Sequence, residues 1–125
     1  MLRIVVAIDS SGSVDEALLG LFIAEFESIL VSFSSFEVEL IICDDKIRST
    51  THFSSGDKLE YTLKGAGATD FRPVFELIEN EFYEAQLLLY FSDLEGKFPQ
   101  EEPLIETIWV TQSEKEVPFG RVIRI

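Results

Sequence analysis

The chain has 125 residues and a mass of 14.2 kDa, enough for one hydrophobic core without disulfides or metal staples and too little for two domains. Ten Lys and Arg against 23 Asp and Glu give a net charge of −13, which repels phosphate backbones and anionic lipid and excludes nucleic acid and membrane surfaces as partners. The single Cys forbids an intramolecular disulfide and suits a reducing compartment such as the cytoplasm.

Leu2 to Ile8 is a continuous β-branched run, the pattern of a strand buried on both faces. Asp9 ends it, so it is too short for a signal peptide or a membrane span. Strand chemistry starts at residue 2, and the chain is expected to be one domain, residues 1–125, of a longer protein. Turn residues follow in Asp9–Ser13, with Ser13 as N-cap and Glu16 at the capping-box position. Val14, Ala17, Leu18, Leu21, Phe22, Ile29, Leu30 and Phe33 then predict a helix over about 14–33.

Phe36 to Cys43 is a second strand. The polar segments Lys46–Phe53 and Lys58–Leu63 suit an exposed edge or hairpin. A flexible loop at Gly65–Asp70 leads into a helix over about 72–84, with Pro73 in its first turn and Phe75, Ile78 and Phe82 as its apolar stripe. Gln86–Ser92 and Ile105–Thr111 are further buried strands, separated by a loop with two prolines, and Arg121–Ile125 is a last short one. Strand, helix and fully apolar strand, twice over, indicate an α/β sandwich with a mostly parallel sheet. The leading strand lies in the middle and 46–53 at an antiparallel edge.

Ligands of such sheets sit at the carboxyl ends of the strands, where Asp9, Thr69 and Asp93 all fall. Asp9, Ser11 and Ser13 form D-x-S-x-S after a buried strand; Thr69 adds a hydroxyl and Asp93 a carboxylate. These are hard oxygen donors, suited to Mg2+, Mn2+ or Ca2+ rather than zinc. The competing reading is structural: serines after a strand often only cap the next helix, and the site then stays empty.

VVAIDSSGSV, GAGATDF and LLYFSDLEG resemble the three parts of the metal-ion-dependent adhesion site of von Willebrand factor type A domains, in order and across almost the whole chain. The tail, FSDLEGKFPQEEP, IWV and VPFGRVIRI, is similar to the compact C-terminal A-like domain of predicted bacterial metallopeptidases. The resemblance implies a Rossmann-like three-layer sandwich. It implies a metal held directly by Ser11 and Ser13, by Thr69 directly or through water, and by Asp9 and Asp93 through water. It also implies a protein partner presenting Asp or Glu, and work beside AAA+ ATPases. Two departures stand out: the 94–104 loop replaces a helix, and Leu94-Glu95-Gly96 follows Asp93 where many relatives have glycine at once.

A peptidase activity has no footing within the chain. His52 is the one histidine, expected exposed on a strand, and no H-E-x-x-H is present. Asp44-Asp45 after a buried strand resembles the acidic pair of phospho-receiver domains; the plainer reading is a strand cap on a solvated turn. Cys43 and Trp109 read as core, and Ser11 and Thr69 as surface-loop positions whose truncation spares the fold.

Overall fold

A computed structural model describes residues 2–58 and 67–125. In chain order the elements are β1 (Leu2–Asp9), α1 (Glu16–Val31), β2 (Phe36–Cys43), β3 (Ile47–Ser54), α2 (Arg72–Glu81), β4 (Leu87–Phe91), β5 (Glu106–Thr111) and β6 (Arg121–Arg124). The strands make one six-stranded sheet in the order β3-β2-β1-β4-β5-β6. All pairings are parallel except β2 with β3, so the polar, half-exposed β3 is the antiparallel edge that its composition predicts.

Side-chain alternation along β1 divides the core in two. Ile4, Val6 and Ile8 pack with Phe22, Phe26 and Leu30 of α1 on one face. Val5 and Ala7 pack on the other with Val74, Phe75 and Ile78 of α2. Buried on both sides, the central strands need the unbroken apolar runs they carry. No helix joins β4 to β5 or β5 to β6; Leu94, Phe98, Ile105, Val117 and Phe119 cover the α2 face there instead. Gly120 makes the second crossover possible: its φ is 80°, and a Cβ would lie 2.7 Å from the Thr107 carbonyl oxygen.

Both helices are shorter than their apolar periods predict. α1 begins at Glu16 with Asp15, not Ser13, as N-cap: Asp15 Oδ1 accepts from the Leu18 amide at 2.8 Å. The Ser13 hydroxyl lies instead against that of Ser11, and so is occupied elsewhere. At the other end Ser32 caps the helix and leaves Phe33 outside it, 42% exposed. α2 stops at Glu81, yet its cap residue Phe82 still packs against the core. Of the second polar segment and the glycine loop, residues 59–63 and 65–66 lie outside the described residues.

Gly20 sits exposed within α1, and a Cβ there would meet nothing within 4 Å. Gly20→Ala is expected to stabilise the protein by about 0.5–1 kcal/mol, because glycine loses more backbone freedom on entering a helix. Urea unfolding checks it; an unchanged midpoint would mean that α1 frays at this position.

Candidate functional site

Parallel pairing brings the exits of three strands level. Asp9 lies opposite Cys43 on β2, and Ile8 opposite Phe91 on β4. The residues that follow those ends therefore share one edge of the sheet: Ser11 and Ser13 after β1, Asp44 after β2, Ser92 and Asp93 after β4.

Asp9 is the anchor. It is 1% exposed, its Oδ1 accepts from the Ser11 amide at 2.9 Å, and its Oδ2 accepts from the Ser92 hydroxyl at 2.6 Å. Burial pushes its carboxyl above the ordinary value, the serine bonds pull it back only in part, and the charge of Asp93 adds to the rise. The hydroxyls of Ser11 and Ser13 stand 3.2 Å apart, within hydrogen-bonding distance of each other. Ser11 is 2% exposed and belongs to the floor of the site rather than to a surface loop; Ser13 is exposed. The expectation that Ser11 is a surface-loop position is corrected accordingly.

Asp93 is half-buried and accepts from the Glu95 amide at 3.1 Å. The next residue, Leu94, has φ 66° and a fully buried side chain. A leucine in the left-handed region is strained, and it stands where the resemblance led us to expect glycine. Core packing of the side chain and the bond from its amide to Ser92 Oγ at 3.0 Å hold it there.

Thr69 enters from the loop before α2. That loop is tied to the serine turn by the Gly12 amide, which donates to the Gly67 carbonyl at 3.0 Å. On its other side it is tied to the 93–97 turn by the Phe71 amide, which donates to the Lys97 carbonyl at 3.0 Å. A Cβ at Gly96 would fall 2.7 Å from Thr69 Cγ2, so glycine there leaves room for the threonine. The described part of this loop is thus bonded on both sides.

Two residues that shape this edge escape the sequence reading. Ser92 orients the Asp9 carboxylate by donating to its Oδ2, whereas the sequence assigns a role only to the neighbouring Asp93. Asp44 does cap the turn after β2, through the Lys46 amide, but its side chain is not solvated. Its side chain is 0% exposed, with Oδ1 bonded to Arg48 Nε at 2.8 Å and to the Lys46 amide at 3.1 Å. Its Oδ2 accepts from the Gly67 amide at 3.2 Å. Burial alone would raise its pKa, but Arg48 and the two amides outweigh that and hold the carboxyl low, at about 2. With both oxygens engaged, Asp44 offers no open acidic pair for receiver-like chemistry. Cys43 beside it is inert, its thiol pushed up to about 12 by burial. His52 is half-exposed on β3 and bonded to Glu39, and Trp109 is wholly buried, both as expected.

The donor set fits a hard divalent cation. Two hydroxyls converge beside a buried carboxylate, and that carboxylate's neighbours are hydroxyls, an amide and a second acid. Among the described residues no group of three or more His, Cys, Asp or Glu gathers, so a cation at this edge depends on hydroxyl oxygen.

Comparison with known proteins agrees with this architecture. A crystal structure of VWA2, the ArnB paralog from Sulfolobus acidocaldarius, superposes with a TM-score of 0.65 over 88% of this chain and 34% of that one, at 17% identity. An uncharacterized protein of Thermotoga maritima is 32% identical over 77 residues, which are 62% of this chain. The match spans only 19% of that relative's length. Among the described residues no helix is long and apolar enough to cross a membrane. The family described as VWA-like domain (DUF2201) matches residues 4–125, and the chain belongs to that family.

Proposed function

We propose that this domain is a protein-interaction module whose contact with its partner runs through a divalent cation, Mg2+, Mn2+ or Ca2+. Membership in a VWA-like family supports an interaction or structural module as the class. The observation that carries the finer reading is the pair of hydroxyls on Ser11 and Ser13, 3.2 Å apart beside the buried carboxylate of Asp9.

Ser11, Ser13 and Thr69 would hold the cation, with Asp9 and Asp93 acting through water or by orienting hydroxyls. When bound, the cation supplies a Lewis-acidic position for an Asp or Glu carboxylate of the partner. Ser92 and the Ser11 amide keep both Asp9 oxygens fixed, so the carboxylate does not swing toward solvent. A net charge of −13 repels an acidic partner at distance, so the attraction must be local. The resemblance to A-like domains of predicted metallopeptidases extends the proposal: the module works in the cytoplasm beside a metallopeptidase-like region or an AAA+ ATPase.

One observation favours a second reading, a structural domain with an empty site. Asp9, Ser11, Ser13 and Ser92 already satisfy one another through hydrogen bonds. Titrating Mg2+ and Mn2+ against thermal unfolding separates the two. A cation at one hundred times its Kd adds about 2.7 kcal/mol, or roughly 10 °C for a chain of this size. Ser11→Ala and Thr69→Ala should each cut that shift sharply, without removing it, while leaving the cation-free melting point within a few degrees. A melting curve indifferent to millimolar cation and to chelator would leave the structural reading.

A further inference from the structure

We infer that Asp44 is a positioning residue that sets cation affinity by holding Thr69 against the serine turn; the inference rests on the metal reading above. Asp44 grips both ends of the segment that carries Thr69. Its side-chain Oδ2 accepts from the Gly67 amide at 3.2 Å, and its own carbonyl accepts from the Asp70 amide at 3.3 Å. Thr69 lies between these two points.

The grip continues to the other ligands. The Gly67 carbonyl accepts from Gly12, the residue between Ser11 and Ser13. The Cys43 carbonyl, one residue before Asp44, accepts from the Ser10 amide at 2.8 Å. The exit of β2 is therefore bonded to both loops that supply hydroxyl ligands.

Asp44 is itself held rigidly. Oδ1 takes Arg48 Nε and the Lys46 amide, and the side chain is fully buried, so Oδ2 keeps one direction. A Cβ at 67 would lie 3.0 Å from Asp44 Oδ2 and 3.1 Å from Asp45 Oδ1, tighter than an ordinary contact, so glycine suits the position. A side chain at 67 crowds the carboxylate that forms the latch. Asp44 touches no cation in this scheme; it acts through Thr69. Removal of a residue that orients a metal ligand typically lowers affinity by about 10–100-fold.

The test measures Mn2+ affinity by calorimetry for the wild type, Asp44→Ala, Thr69→Ala and the double variant. Backbone amide exchange in cation-free protein is followed alongside. Asp44→Ala should weaken binding by roughly 10–100-fold alone, and by less than about twofold when Thr69 is already alanine. Exchange at Gly12, Gly67 and Asp70 should accelerate while β1 amides keep their protection. Gly67→Ala, which removes no charge, should reproduce both effects and serves if Asp44→Ala fails to fold. Wild-type affinity in Asp44→Ala, or the same loss with and without Thr69, overturns the role assigned to Asp44 alone. A wild-type protein with no Mn2+ affinity overturns the metal reading and this role together.

Discussion

Trp109→Ala is expected to cost about 3–5 kcal/mol, the range for emptying a buried aromatic site. Trp109 is 0% exposed at the centre of β5. Its ring stacks on Tyr90 with centroids 5.0 Å apart and meets Phe71 at 5.0 Å, Phe98 at 5.2 Å and Phe119 at 5.9 Å. Those partners come from β4, the start of α2 and both helix-free crossovers, so one side chain joins four segments. Its indole N–H also donates to the Phe119 carbonyl at 3.1 Å, and truncation leaves that buried oxygen without its donor. Against a total stability of roughly 5–15 kcal/mol, the loss is a large fraction. The melting point should fall by on the order of 10–20 °C. Trp109→Phe, which keeps most of the volume, should cost clearly less. A loss under about 1 kcal/mol for the alanine variant would show that the crossovers pack without this ring.

Asp9→Asn should move stability in opposite directions with and without cation. Burial raises the Asp9 pKa in the cation-free fold. A raised folded-state pKa contributes stability that is complete below the unfolded value of about 3.9 and is lost as pH rises through the folded one. At neutral pH the ionised carboxylate is therefore a liability to the cation-free protein. Asparagine keeps the shape, accepts from the Ser11 amide and carries no charge, so Asp9→Asn should melt higher than wild type at pH 7. The gap should narrow as pH falls toward 4. Saturating Mg2+ should reverse the order, lifting wild type by roughly 10 °C and leaving the variant where it was. Equal responses of both proteins to Mg2+ would show that Asp9 has no part in holding a cation. A variant less stable than wild type in chelator would show that its buried charge is fully compensated by Ser92 and Ser11.

Local composition alone carries much of this architecture. Runs such as Ile4–Ile8 and Leu87–Phe91 are apolar without alternation, as suits a sheet covered on both faces. The polar β-branched residues of 47–54 assign themselves to an edge for the converse reason. Asp9, Ser11 and Ser13 are legible as a group because their spacing falls within one turn after a strand, and the two hydroxyls do meet. What tertiary structure decided is which polar groups are buried and whom they bond. Asp44 reads as a solvated acid until Gly67, 23 positions away, brings its amide to it. Ser92 is an ordinary strand-end serine until β4 pairs beside β1 and places it on Asp9, 83 positions earlier. Leu94 takes a backbone conformation that its residue type disfavours, and its side chain is packed into the core there. Even the choice of Asp15 over Ser13 as helix cap depends on a hydroxyl being engaged elsewhere. For Asp44, Ser92 and Leu94 a short-range preference was overruled by a hydrogen bond or a packing contact whose other half lies outside the local motif.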